Sequence, residues 1–232
     1  SDVYKRQDVA DVQMRMFNAD GSEGMMCGNA IRCVGKYIYD TGKVKNREVT
    51  IETKSGIKKL TLYVRNNEVT SARVDMGAPD FDPRNIPVRL QGEVIDREVE
   101  LAGAVRHITC LSMGNPHCVI VVDDVDNADV AGIGSEIEND PLFPDRVNVE
   151  FVQVLDEVTC KVRFWERGTG ETYACGTGTC AAVVAMTRLG KFKRGDKVTV
   201  KVKGGELTVQ YADDTVYLTG DAVEVYKGVV RI

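Results

Sequence analysis

Apolar and polar residues alternate along most of this chain, and the alternation gives way to a helical period in a few places. Met14-Arg15-Met16-Phe17-Asn18 reads as a strand, and Asn18-Ala19-Asp20-Gly21-Ser22 as the turn after it. A helix is predicted over 29–39, stopped by Thr41-Gly42. Strands follow over 48–53, 57–64 and 71–76, with Asn66-Asn67 as a hairpin turn. Glycine and proline crowd 77–87, which places a domain junction there. Beyond it, strands are predicted over 92–101 and 105–112, a sharp turn over 113–117, and a buried strand over 118–122. A helix over 130–138 precedes strands over 146–151, with Asn148 on the polar face, and 160–166. A second long helix runs from Cys175 to Leu189-Gly190. Strands over 197–203, 206–211 and 215–219 and a closing segment over 222–226 complete the chain.

A strand-rich α+β fold with two to three helices follows. It divides into two half-domains, 1–80 and 81–221, with 222–232 returning to the first. Each half reads as a curled, mostly antiparallel sheet around a central helix. The two halves are pseudo-symmetric, because an offset of 148 residues maps Cys175 onto Cys27, Arg163 onto Arg15, Glu171 onto Glu23, Gly176 onto Gly28 and Gly190 onto Gly42. At an offset of 149 the echo resumes, with Val198-Thr199-Val200 on Val49-Thr50-Ile51 and Gly205 on Gly56. The first half is shorter at its front than the repeat requires, by about 40 residues. The chain therefore reads as lacking part of its first half, which puts its activity and stability in question. Ser1–Gln7 fits no motif and reads as a scar.

Composition narrows the class. The formal net charge of −5 offers no basic surface for nucleic acid. No apolar run reaches the roughly 18 residues that a membrane span needs. Seven cysteines are an odd number placed in regular elements, which predicts reduced thiols and a cytoplasmic location. Cys110, His117 and Cys118 are close in sequence, but no paired Cys-x-x-Cys accompanies them, and no metal site is expected.

Two stretches carry the chemistry: Glu171-Thr172-Tyr173-Ala174-Cys175-Gly176-Thr177-Gly178-Thr179-Cys180 and its twin Glu23-Gly24-Met25-Met26-Cys27-Gly28-Asn29-Ala30. In each, a cysteine sits at a glycine turn with a helix directly behind it. A helix N-terminus exposes N–H groups and partial positive charge, which favour a carboxylate and lower the pKa of an adjacent thiol. If the two helices aim their N-termini at one cleft, Cys27 and Cys175 flank the α-carbon of a bound amino acid. One thiolate then removes the α-proton while the other thiol donates to the opposite face. No nucleotide fingerprint and no pyridoxal lysine motif competes with this reading.

At these residues the chain resembles the diaminopimelate epimerase family. The resemblance rests on Phe17–Ser22, on Met26-Cys27-Gly28-Asn29-Ala30 with Arg32-Cys33, and on Gly114-Asn115-Pro116-His117. It rests further on Val147-Asn148-Val149-Glu150-Phe151, Trp165-Glu166-Arg167-Gly168 and Ala174-Cys175-Gly176-Thr177-Gly178, and it runs from about Asp11 to the C-terminus. It implies that family's two-domain fold, with the active site in the cleft between the halves. It also implies interconversion of LL- and meso-diaminopimelate in lysine and peptidoglycan precursor synthesis, with no cofactor and no metal, by a homodimer. Carried over, Cys27 and Cys175 are the acid/base thiols. The backbone at Gly28-Asn29 and Gly176-Thr177 holds the reacting carboxylate. Asn18, Asn148 and Arg167 recognise the distal amino-acid end, and Asn115, His117 and Glu166 line the reacting centre. The family's opening His-Gly-x-Gly-Asn-Asp turn has no counterpart here.

The remaining residues have plainer readings. Cys33, Cys110, Cys118, Cys160 and Cys180 are expected as small buried residues. Glu23 and Glu171 are expected to support the turns, Arg15 and Arg163 to be strand residues, and Arg32 to lie on a helix surface or in a salt bridge. Two alternatives stand beside it: a cofactor-independent racemase of the same architecture, such as one for proline or hydroxyproline, and, from another class, a non-catalytic amino-acid-binding or redox-responsive module. The first carries His where Asn29 stands here.

Overall fold

The computed structural model describes residues 9–17, 21, 23–226 and 228–229, and of residues 2–4 the backbone. The chain forms two compact units: residues 1–74 with 219–232, and residues 75–218.

The first unit opens with β1 (Asp2–Tyr4) and β2 (Val12–Phe17), which pair antiparallel with Asp2 opposite Arg15. The opening residues thus add a strand edge, where the sequence showed no element. A short β3 (Glu23–Gly24) folds back on β2, and α1 (Gly28–Asp40) follows. Next come β4 (Glu48–Thr53), β5 (Gly56–Arg65) and β6 (Glu68–Gly77), the last continuing past the unit's boundary. The strand order is β1-β2-β4-β5-β6, with β2 and β4 parallel and the other neighbours antiparallel. Asn66 and Asn67 both take positive φ, 52° and 64°, as the tight hairpin between β5 and β6 requires. The helix buries one stripe, Ile31, Val34, Gly35 and Ile38, against the sheet. A Cβ on Gly35 would come within 2.9 Å of the Leu62 side chain, so glycine permits that close approach. Cys33 lies off this stripe and is exposed, not buried as the sequence suggested. Arg32 does not lie on the helix surface: it is buried, and its guanidinium donates to the Gly28 carbonyl at 2.9 Å.

The second unit begins with a loop that returns through an Asp80–Ser112 bridge to β7 (Arg97–Leu101) and β8 (Ala104–Ser112). Then come β9 (Pro116–Val121), α2 (Val130–Glu138), β10 (Asn148–Asp156), β11 (Thr159–Glu166) and the short β12 (Gly170–Thr172). The central helix α3 (Gly176–Arg188) leads to β13 (Lys197–Val202), β14 (Gly205–Ala212) and β15 (Thr215–Asp221). The order is β15-β14-β13-β11-β10-β9-β8-β7, with β12 beside β11. The pairs β9/β10 and β11/β13 are parallel, so this sheet is mixed. No strand covers 222–226, because β15 ends at Asp221. Ten of the α3 residues are buried, from Gly176 to Met186, which fits a helix of small and apolar residues enclosed by its sheet.

The repeat is visible in the register of the strands. Val12 lies opposite Ile51 across β2 and β4, and Cys160 opposite Val200 across β11 and β13. Met16 faces Gly24 and Phe17 faces Glu23; Phe164 faces Thr172 and Trp165 faces Glu171. Both long helices close alike, with Thr41 and Leu189 as C-caps and Gly42 and Gly190 each at φ 71°.

Candidate active site

Each unit presents one cysteine as the N-cap of its helix. Cys27 has φ −130° and ψ 117°, and its sulfur accepts from the Ala30 N–H at 3.5 Å. Cys175 has φ −120° and ψ 115°, and its sulfur accepts from the Gly178 N–H at 3.4 Å. Oxygen side chains dominate this position in proteins because sulfur is a poor acceptor. A thiolate is a better one, so the cap favours the ionised form. At α3 the N–H groups of Gly176 and Thr177 precede any intrahelical acceptor and lie in the positive end of the dipole.

The surroundings of Cys175 are polar and enclosed. It is 6% exposed, and Cys27 is half-buried. Burial pushes the Cys175 thiol well above the usual range, with the Glu166 and Glu150 carboxylates adding to the rise. Hydrogen bonds from Thr177 and the Gly178 N–H pull the other way. The sequence pattern points only to the helix field; burial and two acidic neighbours act in the opposite direction.

The remaining residues of this unit fall into two groups. In the first, His117 and Glu150 are wholly buried partners on neighbouring strands β9 and β10, with Nδ1 and Oε1 2.7 Å apart. His117 Nε2 lies 3.0 Å from Asn115 Oδ1, and Asn115 Nδ2 donates to Thr177 Oγ1 at 3.3 Å. Burial raises the Glu150 pKa, His117 opposes that rise, and Glu166 adds to it. Glu166, half-buried, accepts from Thr172 Oγ1 at 2.6 Å. In the second group, Asn148 is buried and not on a polar face. Its amide donates to the Pro116 carbonyl at 2.7 Å and accepts from the Arg167 N–H at 2.9 Å. Glu138 accepts from the Gly168 N–H at 2.8 Å and from Trp165 Nε1 at 2.7 Å. These contacts fix the 166–168 turn, and Arg167 also donates to the Asp145 carbonyl at 2.9 Å. Asn18 lies outside the described residues.

Two residues at this site escaped the sequence reading. Glu150 stands within the Val147–Phe151 motif, and a glutamate in an otherwise apolar strand gives no sign of its partner. Glu138 sits at the end of α2, where an acidic residue reads as a solvated helix end. Its partners, Trp165 on β11, Gly168 in the turn after it and Arg146, come to it only in the folded chain.

The diaminopimelate epimerase family model matches residues 2–81 and 109–225. Diaminopimelate epimerase of Acetivibrio thermocellus is 50% identical over 226 residues, which are 96% of this chain and 80% of that protein. The chain belongs to the diaminopimelate epimerase family. Diaminopimelate epimerase of Agathobacter rectalis is 48% identical over 235 residues, 97% of this chain and 82% of that protein. Solved structures extend the fold beyond the family. A hydroxyproline epimerase from Agrobacterium vitis superposes with a TM-score of 0.71 at 17% identity, over 94% of this chain and 70% of that one. A probable proline racemase from Agrobacterium radiobacter gives 0.68 at 19% identity, over 93% and 70%. At such identities the likeness is one of fold, the strand-dominated α+β architecture with few helices. Residues 82–108 stand outside the family match and hold β7, the loop before it and the start of β8.

Proposed function

We propose that this chain is an amino-acid epimerase that interconverts LL- and meso-diaminopimelate, with Cys27 and Cys175 as its two acid/base groups. The observation that carries the reading is the paired N-cap geometry of these thiols, repeated within 10° in φ and 2° in ψ at the heads of α1 and α3. The family supplies the substrate.

In the forward sense one cysteine enters as thiolate and the other as thiol. The thiolate takes the α-proton, and the C–H electron pair passes to the α-carbon and its carboxylate. The thiol then gives its proton to the opposite face of that carbon. The product leaves with the protonation of the two cysteines exchanged, and proton exchange between the free enzyme and solvent resets it for the next forward turnover. The N–H groups at Gly28-Asn29 and Gly176-Thr177 hold the carboxylate where negative charge develops. Glu166 receives the cationic α-amino group, which offsets the Glu166 charge that adds to burial in raising the Cys175 thiol, so substrate binding favours the thiolate. Asn115 and Glu166 stand at the reacting centre, and the buried His117 supports Asn115 from behind. Asn18, Asn148 and Arg167 serve the distal end: Arg167 through its guanidinium, Asn148 by holding the Arg167 backbone. The enzyme works as a cytoplasmic homodimer in lysine and peptidoglycan precursor synthesis, and its proton transfers draw on no cofactor.

Proton NMR of the reduced chain with LL-diaminopimelate in D₂O tests the reading. Deuterium at one α-carbon with formation of the meso isomer supports it. Exchange into proline or hydroxyproline, and none into diaminopimelate, overturns the substrate assignment.

A further inference from the structure

Five side chains of the second unit form one continuous hydrogen-bond chain. It runs from Glu150 Oε1 to His117 Nδ1 (2.7 Å), from His117 Nε2 to Asn115 Oδ1 (3.0 Å), from Asn115 Nδ2 to Thr177 Oγ1 (3.3 Å), and from Thr177 Oγ1 to Cys175 Sγ (3.5 Å). We infer that this chain has a fixed direction, set at the buried Glu150–His117 end, and that it makes the Thr177 hydroxyl a dedicated donor to the Cys175 thiolate. The inference rests on the proposed acid/base role of Cys175.

The direction follows from counting protons. Asn115 offers its amide NH₂ to Thr177, so its carbonyl oxygen faces His117 Nε2. That oxygen only accepts, so Nε2 must carry a hydrogen. Nδ1 then either accepts a proton held by Glu150 or, as part of an imidazolium, donates to the Glu150 carboxylate. In both states the buried pair is neutral overall, which suits two side chains with no exposed surface. The remaining state, a carboxylate facing a neutral ring protonated only at Nδ1, would leave a net buried charge and turn a lone pair toward the Asn115 carbonyl. Thr177 Oγ1 receives the Asn115 N–H, so its own hydrogen is left for the sulfur. From His117 Nε2 onward every donor thus points toward Cys175.

The site needs such a donor. The charged groups facing Cys175 are Glu166 at the end of β11 and Glu150 on β10, and both favour the thiol. Glu150 also faces His117 on β9 and bears on the buried Cys118 thiol there. Glu150 comes close enough to head the chain because position 178 is glycine: a Cβ there would stand 2.6 Å from Glu150 Oε1. Glu150 and Thr177 are therefore positioning residues, one fixing the direction and the other delivering it.

Two readouts test this without using turnover, so they fail or succeed apart from the substrate assignment. The first is ¹⁵N–¹H NMR of histidine-labelled protein. The chain has only two histidines, so the His117 ring is assigned by comparison with His107→Gln. Nε2 is expected to be protonated throughout the range in which the protein is folded; a ring protonated at Nδ1 alone overturns the inference. The second is the pH dependence of Cys175 alkylation by iodoacetamide, followed by peptide mass spectrometry. Thr177→Val is expected to move the midpoint up by about one pH unit, and Thr177→Ser to leave it near that of the parent. Identical midpoints for the parent and Thr177→Val overturn the inference, as does a Thr177→Ser midpoint that follows the valine variant.

Discussion

Arg163 Nε stands 2.8 Å from Glu171 Oε1, across β11 and β12, and Arg15 Nε stands 2.8 Å from Glu23 Oε1 across β2 and β3. The pair is the same device used twice, eight residues apart in each unit, tying the strand to the short return strand that delivers the capping cysteine. It explains why arginine and glutamate echo along with the cysteines. The two copies differ in depth. Arg163 is the more enclosed and also donates to the Val125, Asp126 and Ala128 carbonyls, whereas the Arg15 side chain is 43% exposed.

Arg163→Ala is expected to destabilise the chain by about 2 kcal/mol, because it breaks a charge-assisted pair and abandons backbone acceptors, with solvent screening limiting the loss. Arg15→Ala should cost less. Arg163 first, and Lys203 after it, holds the Glu171 carboxyl below its ordinary pKa. A depressed carboxyl stabilises the fold fully above its unfolded value and loses that contribution as pH falls through the folded one. The gap between parent and Arg163→Ala should therefore narrow on acidification below the usual glutamate range. Urea unfolding at pH 7 and pH 3 checks both points.

Thiol reactivity should separate the two capping cysteines. Cys175 is buried and pushed upward by desolvation, Glu166 and Glu150, while Cys27 is half-buried. With iodoacetamide at pH 7.5, Cys27 is expected to react at least about tenfold faster than Cys175. The exposed Cys33 will also react, so peptide-resolved mass spectrometry is needed. The buried Cys160, raised to about 12 by burial and Asp156, should stay unmodified.

Gly178→Ala places a methyl group 2.6 Å from Glu150 Oε1 and 3.0 Å from the Phe164 ring. The expected cost is about 1–3 kcal/mol of stability. A larger effect is expected on turnover, since Glu150 must leave His117 to make room. Thermal unfolding and steady-state rates measured on the same sample check this.

Asn148→Leu removes the partner of the Arg167 N–H and of the Pro116 carbonyl, both inside the fold. About 1–3 kcal/mol of destabilisation is expected for each buried group left unsatisfied. Substrate affinity should fall with it, as the Arg167 turn loosens. Arg167→Lys should raise KM while leaving the unfolding transition nearly unchanged, because that variant keeps the backbone contacts.

The long elements were legible because their period is strong: 130–138 was read to the residue, and both capping cysteines were evident from the repeat with its glycine turns. The short strands β3 and β12 were not, since two or three residues carry no period. Asn148 was assigned to a polar face because asparagine in a strand usually faces water; two remote backbone partners allow it to be buried. The Glu150–His117 pair joins strands 33 residues apart, and pairing between strands leaves no local mark in the sequence. The direction of the Cys175 shift was likewise hidden, because burial and the approach of Glu166 and Glu150 are properties of the folded site.

The central claim is that each unit contributes one thiol to a two-base epimerisation. It is tested most directly by following α-hydrogen exchange and isomer formation from LL-diaminopimelate in D₂O with the parent chain, Cys27→Ala and Cys175→Ala, each confirmed as folded by circular dichroism. The account predicts meso product carrying one solvent deuterium from the parent, and loss of epimerisation in both variants. Full turnover by either alanine variant would contradict it.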